Sequence, residues 1–235
     1  MELFNNLIYV KNPLEDTIIY NNKQYYRYMN KIYIPNPPCD LDDDDVSSLS
    51  KIRILLNGDV IDYDYTESII NNLIDKSKLE DGEEILDFGC GGGILADVIL
   101  KTNRKLKGIT GLDLCSFAVH TAREMYNERL SMGNAFLFGK DDSIDKDDNS
   151  IDAIISSFVM HFNVSSFQIQ ELYRVLKKGK KFVYNDYVYH KYPGHSKKII
   201  KLLVNSGFTV EKEVVDFKIH SESLIKKHLI VTATK

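Results

Sequence analysis

Apolar residues change their spacing along the chain near residue 66. Beyond that point, short apolar runs alternate with segments whose apolar residues recur every three or four positions, as in strands that alternate with amphipathic helices. Strict alternation favours a parallel sheet with helices on both faces, and two final strands with no helix between them require one antiparallel strand. The runs predict strands at 84–88, 108–114, 135–138, 151–156, 181–187, 208–216 and 224–234, and the amphipathic segments predict helices at 66–74, 94–100, 116–130, 167–176 and 196–204.

Two helix ends have local signals. Ser116 is the expected N-cap of the helix at 116–130, because its hydroxyl can accept a hydrogen bond from the first turn. The helix at 167–176 is expected to end at residues 177–179, where two lysines precede a glycine.

The first 65 residues differ from the rest in composition, with frequent tyrosine and asparagine. Aromatic and β-branched residues alternate around Asn21-Asn22, which predicts a β-hairpin within residues 20–35. The acidic run from Asp40 to Asp45 predicts a solvated loop or linker, since its charges repel one another. We therefore divide the chain into an N-terminal cap or lid segment, residues 1–65, and a domain of residues 66–235.

Composition narrows the class of protein. A chain of 235 residues with 43% apolar residues can build one mid-sized domain with a substantial core. A net charge of −4 argues against a general binder of nucleic-acid backbones. Three cysteines without paired spacing predict neither disulfides nor a structural metal. With no signal-peptide pattern and no apolar run of membrane length, we expect a reducing, cytoplasmic location and no membrane partner.

The most informative segment is a glycine-rich loop. A buried strand at 84–88 leads into Gly89-x-Gly91-x-Gly93 and then directly into a helix. Glycines permit positive φ and close approach of a ligand, and the helix offers free N–H groups at the same place. Asp113 ends the next strand, where a carboxylate can accept both ribose hydroxyls of a nucleoside. A purely structural turn is the alternative for the loop.

The loop differs from a dinucleotide-binding fingerprint. Ile94 stands where that fingerprint has its third glycine. The Asp87 carboxylate would oppose a pyrophosphate, whereas it suits a cofactor that carries a sulfonium and an ammonium group. A nicotinamide oxidoreductase is therefore disfavoured.

From residue 66 onward, the chain resembles a class I S-adenosylmethionine-dependent methyltransferase of the small-molecule type. The motifs that carry the resemblance lie in order at 84–93, 111–115, 150–161, 172–179 and 205–208. The resemblance implies an α/β, Rossmann-like, doubly wound, seven-stranded and mostly parallel sheet with one antiparallel strand, with the N-terminal hairpin or helical cap added. It also implies that residues 66–235 bind S-adenosyl-L-methionine.

The resemblance also assigns cofactor-binding residues. In the family, the strand end at 150–161 lies beside the transferable methyl, which puts Ser156 and Ser157 there. A Gly-Asp pair commonly follows strand three and holds the adenine amino group, but Gly139 is followed here by Lys140, which can only donate. Asp141 or Asp142 is expected to take that role. The full set is Asp87, Gly89, Cys90, Gly91, Asp113, Leu114, Asp141, Asp142 and Ser156.

Candidate catalytic residues follow from the chemistry of methyl transfer. The transfer is an in-line displacement, so the enzyme mainly aligns the reactants and excludes water, and a base is needed only when the nucleophile must lose a proton. His161 is a candidate base or acceptor-positioning group, with a structural hydrogen bond as the alternative. Asp186 ends strand five and faces the same cleft. The loop at 188–195 either lines an acceptor pocket or packs on the surface. A metal site of His161, His190 and His195 has no supporting spacing.

We therefore expect methyl transfer to a small-molecule acceptor at an O, N or C atom. The alternatives are methylation of a protein or tRNA, disfavoured by the acidic pI and the lack of an Asn-Pro-Pro-Tyr-type tetrad after strand four, and a catalytically inactive partner subunit that binds the cofactor. Tyr63, Tyr65 and the hairpin tyrosines either form an aromatic lid or serve stability or dimerisation. We expect a monomer or a homodimer.

Overall fold

The chain begins with a small antiparallel sheet. In this computed structural model, which describes residues 1–60, 62–102, 104–130, 133–188, 194–219 and 224–235, its strands lie in the order β1-β2-β5-β4-β3. The predicted hairpin is present, and Asn21 and Asn22 turn it with φ of 48° and 59°. The strands are β1 (Glu2–Phe4), β2 (Leu7–Tyr9), β3 (Thr17–Tyr20), β4 (Lys23–Met29) and β5 (Ile32–Ile34).

The acidic run begins a helix, so the prediction of a loop or linker at Asp40–Asp45 is wrong. A short 3₁₀ turn at Pro38–Asp40 precedes α1 (Asp43–Leu55), and the Asp42 side chain caps α1 by accepting from the Asp45 amide. Carboxylates at a helix N-terminus are stabilised by the helix dipole, which offsets their mutual repulsion. Two further helices follow, α2 (Asn57–Val60) and α3 (Tyr63–Ser77).

A seven-stranded sheet forms the rest of the fold, in the order β11-β12-β10-β9-β6-β7-β8. Only β12 runs antiparallel to its neighbours, which confirms the predicted doubly wound α/β sheet with one antiparallel strand. The strands are β6 (Glu84–Phe88), β7 (Gly108–Asp113), β8 (Gly133–Leu137), β9 (Ile151–Ser156), β10 (Leu176–Tyr187), β11 (Thr209–Ile219) and β12 (Leu224–Thr234), and the helices are α4 (Ile94–Lys101), α5 (Ser116–Arg129), α6 (Ser166–Val175) and α7 (Gly194–Asn205).

Two predicted helix ends differ from the structure. Cys115, not Ser116, is the N-cap of α5, and its amide donates to Asp113 at 2.9 Å. Residues 177–179 belong to β10, because Leu176 already pairs with Ile151 of β9. Gly179 then adopts φ of 76° in a bulge and donates to the Lys235 carbonyl.

Apolar side chains pack on both faces of the large sheet. One core cluster joins it to α3, α4 and α5, and the other joins it to α6 and α7. A third cluster links the N-terminal strands and α1 to Phe162, which lies in the loop after β9. The N-terminal segment is thereby held over the carboxyl edge of the parallel strands, where ligands bind in such sheets. Along the described residues, no helix is long and apolar enough to cross a membrane.

Candidate functional site

The glycine-rich loop connects β6 to α4 with three left-handed residues. Gly89, Gly91 and Gly93 have φ of 79°, 51° and 92°, and Gly93 is the N-cap of α4. The amides of Gly89 and Cys90 both donate to the Leu112 carbonyl, at 2.7 and 3.0 Å. The loop is therefore fixed to the end of β7, and it needs glycines because positive φ is strained for other residues.

Asp113 is the second component of the site. Its two carboxylate oxygens accept from the amides of Gly91 and Cys115, each at 2.9 Å. Burial raises the pKa of Asp113, and these two amides act in the opposite direction. Each carboxylate oxygen retains acceptor capacity, so Asp113 can hold the loop and still receive ligand hydroxyls.

The loop and Asp113 open onto a cavity of about 370 Å³. Gly89, Cys90, Gly91, Asp113 and Leu114 line it, so the structure brings these five predicted cofactor-binding residues together. Ser157 also lines it. Further lining residues that sequence reasoning missed come from α1, the side of α4, the loop after β9 and the start of α6: Leu49, Arg53, Asp97, Phe158, Phe162 and Gln168.

Two other predicted cofactor-binding residues lie behind the cavity wall. Ser156 is fully buried and donates to the Phe88 carbonyl at 2.7 Å. Asp87 is 2% exposed, and one of its oxygens has no hydrogen-bond partner among the described residues. Burial and the nearby Asp113 charge raise the pKa of Asp87 to about 8. Asp87 is therefore mainly protonated at neutral pH.

We expect Asp87→Asn to flatten the pH dependence of stability. A carboxyl group with a pKa of about 8 in the folded protein and about 3.9 when unfolded binds more protons in the folded state. Its contribution to the free energy of unfolding is full below about pH 4 and is lost as the pH rises through 8. Asparagine has no such titration. Urea unfolding at pH 5, 6.5 and 8 measures the effect.

The control for this variant is Asp141→Asn, which removes an exposed carboxylate. It should leave the pH slope of the unfolding free energy as in the parent protein. An Asp87→Asn variant with the parent's slope would contradict a raised pKa at Asp87.

The loop after β8 forms the other end of the cavity. Gly139 and Lys140 line it, whereas Asp141 and Asp142 do not. Lys140 pairs with Asp43 of α1 at 2.5 Å, and Asp142 accepts from the Gly139 amide at 2.7 Å. Gln168 donates to the Gly139 carbonyl at 3.1 Å and completes a capping box with Ser165 at the start of α6. That Ser-x-x-Gln pattern was a readable sequence signal for Gln168 as a helix cap.

Solved structures with this fold were found for proteins of distant sequence. An S-adenosylmethionine-dependent methyltransferase from Aquifex aeolicus is 19% identical with a TM-score of 0.57, over 83% of this chain and 98% of that one. The YcgJ protein from Bacillus subtilis is 13% identical with a TM-score of 0.57, over 72% and 98%. A chain from the complex of the Haloferax volcanii Trm112 methyltransferase activator with a methyltransferase is 16% identical with a TM-score of 0.59, over 81% and 95%. No curated protein matches the sequence significantly.

The family assignment comes from the segment that builds the cavity floor. Residues 85–179, from β6 into β10, match a family model described as a methyltransferase domain. Residues 85–179 are therefore a methyltransferase domain, and the fold is that of S-adenosylmethionine-dependent methyltransferases. Its cavity wall fits S-adenosylmethionine, because Asp113 presents acceptors for ribose hydroxyls and a Cβ built at Gly91 would meet no heavy atom within 4 Å.

His161 of the methyltransferase domain is fully buried and does not line the cavity. Its Nε2 bonds the hydroxyl of Tyr28 in β4, and its Nδ1 has no partner among the described residues. Burial, and then the positive charge of Arg53, hold the pKa of His161 well below its usual range, so the ring is neutral. In this position, His161 joins the N-terminal sheet to the loop after β9.

Asp186 in β10 is also buried away from the cavity. It is 2% exposed, and its carboxylate accepts from the Tyr187 amide at 2.7 Å. Burial raises the pKa of Asp186 to about 6. His195 bonds the Met160 carbonyl, and His190 and His220 lie outside the described residues. Within the described ranges, no group of three or more His, Cys, Asp or Glu residues is arranged to hold a metal ion.

A network of buried polar side chains supports one wall of the cavity. Phe158, which lines the cavity, has φ of 60°, a strained value for a residue with a side chain. The Asn185 side chain accepts from the Phe158 amide at 2.9 Å and contacts His228 Nδ1 at 3.1 Å. His228 Nε2 bonds the hydroxyl of Tyr65 in α3. Sequence reasoning missed this network of hydrogen bonds, because its members come from four distant segments.

We expect Asn185→Ala to lower the free energy of unfolding by about 1–3 kcal/mol, because it leaves buried polar groups unpaired. Phe158 also loses the bond that holds its strained backbone, so affinity for S-adenosylhomocysteine should fall with stability. Urea unfolding and calorimetry measure the two effects. Asn205→Ala, at the exposed end of α7, is the control and should change stability by less than about 0.5 kcal/mol. Equal effects of the two variants would refute the supporting role.

Proposed function

We propose that this methyltransferase acts on a small-molecule acceptor that lies between α1 and the loop after β9. The observation that carries the proposal is the roof of the cavity. Leu49, Arg53 and Asn57, from α1 and the start of α2, cover a space whose floor is the glycine-rich loop. A roofed cavity of about 370 Å³ favours a small acceptor over a protein or RNA segment.

The cofactor would lie along the carboxyl ends of β6, β7 and β8. In this proposal Asp113 accepts the ribose hydroxyls, and the methionine half packs against the Cβ-free backbone of Gly89 and Gly91. The loop at residues 139–142 surrounds the adenine, with Asp142 shaping the loop through the Gly139 amide. When bound, S-adenosylmethionine supplies a methyl group on a sulfonium, which makes that carbon electrophilic.

The chain's own residues would align the acceptor and exclude water. Phe158, Val159 and Phe162 form an apolar wall at the end of β9, and Tyr63 lies at the start of α3. Removing water from this space strengthens the electrostatic interactions within it and favours in-line attack. Because His161 and Asp186 lie outside the lining, we propose that they shape this wall, His161 through Tyr28 and Asp186 through the end of β10.

A screen with labelled methyl donor tests the proposal. The protein is incubated with S-adenosylmethionine labelled on the methyl group and with separate small-molecule, protein and tRNA fractions of a cell extract. We expect label in the small-molecule fraction. Label confined to protein or tRNA would refute the proposed acceptor class. Calorimetry with S-adenosylmethionine, S-adenosylhomocysteine and NAD is the companion measurement, and tight binding of NAD alone would refute the proposed use of the cavity.

A further inference from the structure

Arg53 stands out among the charged residues of the cavity. It lies in α1 and lines the cavity roof, and its Nε atom is buried without a hydrogen-bond partner among the described residues. The guanidinium carbon lies 5.4 Å from the centre of the Phe158 ring. A guanidinium that stacks on an aromatic ring in a roofed space is preorganised for a planar anion.

The carboxylates that line the cavity are already engaged elsewhere. Asp43 pairs with Lys140 at 2.5 Å, and Asp97 pairs with Arg129 and accepts from the Tyr63 hydroxyl. The Asp113 carboxylate accepts from two backbone amides. These pairs also occupy the cations Lys140 and Arg129. Within the described ranges, Arg53 is therefore the cation of the cavity lining that forms no ion pair.

This arrangement leaves Arg53 without a direct ion pair, and the carboxylate on which its charge acts, Asp113, is held by backbone amides. A cation held partly out of water is unfavourable unless an anion approaches it. The sulfonium of the cofactor adds a second positive charge in the same space, which increases the need for a ligand anion. A carboxylate matches a guanidinium in shape and in charge, since two parallel N–H···O bonds can form.

We propose that Arg53 binds a carboxylate of the acceptor, so that the substrate is a carboxylic acid with an apolar or aromatic part against Phe158 and Phe162. The inference rests on the proposed function, in which the acceptor lies between α1 and the loop after β9. Arg53 then sets acceptor specificity from the roof, opposite the glycine-rich loop that holds the cofactor. The methionine part of the cofactor also carries a carboxylate, and this group is the alternative partner for Arg53.

The test uses small acids as probes on the protein saturated with S-adenosylhomocysteine. Acetate, benzoate and phenylpropionate are titrated beside their uncharged amides, with the parent protein, Arg53→Gln and Arg53→Lys. We expect at least one acid to bind more tightly than its amide. We expect Arg53→Gln to weaken that acid by roughly tenfold to a hundredfold, the usual effect of losing a charge-assisted pair. Arg53→Lys should restore part of the affinity.

A matched control lies on the same helix. Lys51→Gln removes one positive charge from α1 at an exposed position that does not line the cavity. It should leave acid binding unchanged, which separates a specific contact from a change of net charge.

Affinity for S-adenosylhomocysteine distinguishes the two carboxylates. We expect it to change by less than about twofold in Arg53→Gln. A large loss of S-adenosylhomocysteine affinity with unchanged acid binding would assign Arg53 to the cofactor and overturn the proposal. Equal binding of acids and amides, or no binding of any acid, would also overturn it. Failure of the parent protein to bind S-adenosylhomocysteine would instead refute the proposed function.

Discussion

Gly89→Ala is expected to lower the free energy of unfolding by about 2–4 kcal/mol and to weaken cofactor binding. Gly89 has φ of 79°, and a Cβ built there would lie 2.1 Å from Cγ2 of Val159. Val159 is stiff because it is branched at Cβ, so the loop or the wall after β9 has to move. Both line the cavity. Urea unfolding and titration with S-adenosylhomocysteine measure the two effects.

Gly82→Ala is a close control. Gly82 has φ of 80°, but a Cβ at this position would meet nothing within 4 Å. The two alanine variants therefore share the backbone strain, and only Gly89→Ala adds the clash. A double variant, Gly89→Ala with Val159→Ala, should recover part of the lost stability. Equal destabilisation by the Gly82 and Gly89 variants, without recovery in the double variant, would show that the contact with Val159 is unimportant.

Asp113→Ala is expected to weaken binding of S-adenosylmethionine by roughly 1–3 kcal/mol, the usual loss when partners of a charged hydrogen-bonding group are left unpaired. The variant removes the proposed acceptor of the ribose hydroxyls. It also releases the amides of Gly91 and Cys115, which the carboxylate holds at 2.9 Å. Calorimetry with S-adenosylmethionine measures the change.

Two further variants separate these effects. Asp113→Asn keeps one side-chain oxygen as an acceptor and should lose less affinity than Asp113→Ala. Glu211→Ala removes an exposed carboxylate of β11 that does not line the cavity, so its affinity should equal that of the parent. Unchanged affinity in Asp113→Ala would rule out the ribose assignment.

Sequence reasoning was most successful where neighbouring residues determine the outcome. The apolar runs at 84–88 and 151–156 became β6 and β9 with the predicted bounds. The glycine-rich loop and Asp113 were found together because both follow a buried strand, and the ends of adjacent parallel strands meet at one edge. These features depend on local pattern and on a general rule of sheet topology.

The acidic run shows how a correct local observation led to a wrong structure. Repulsion among the carboxylates predicts a solvated loop, yet the same residues cap and begin α1. The signal for a helix was present, because Asp42 precedes Val46, Leu49 and Ile52, which are spaced for one helix face. Charge alone did not distinguish a linker from a helix N-terminus.

The acceptor end of the cavity depended on contacts that no local pattern reveals. Arg53 and Phe158 are separated by more than a hundred positions in the chain, and they meet because the N-terminal segment folds over β9. His161 was expected beside the acceptor, but its partner is Tyr28, a residue of the N-terminal sheet. The wall residue that sequence reasoning missed there is its neighbour Phe162.

The bond between Tyr28 and His161 also bears on the order in which the molecule is assembled. The two residues are 133 positions apart, whereas the hairpin that contains Tyr28 is closed by neighbours. During synthesis, the N-terminal strands therefore leave the ribosome well before their partner at the end of β9 exists. Local hairpins form quickly and long-range contacts form late, so the roof is expected to dock last. A nascent chain stalled before residue 161 would lack both His161, the partner of Tyr28, and Phe162, which packs against the cluster of the N-terminal strands and α1.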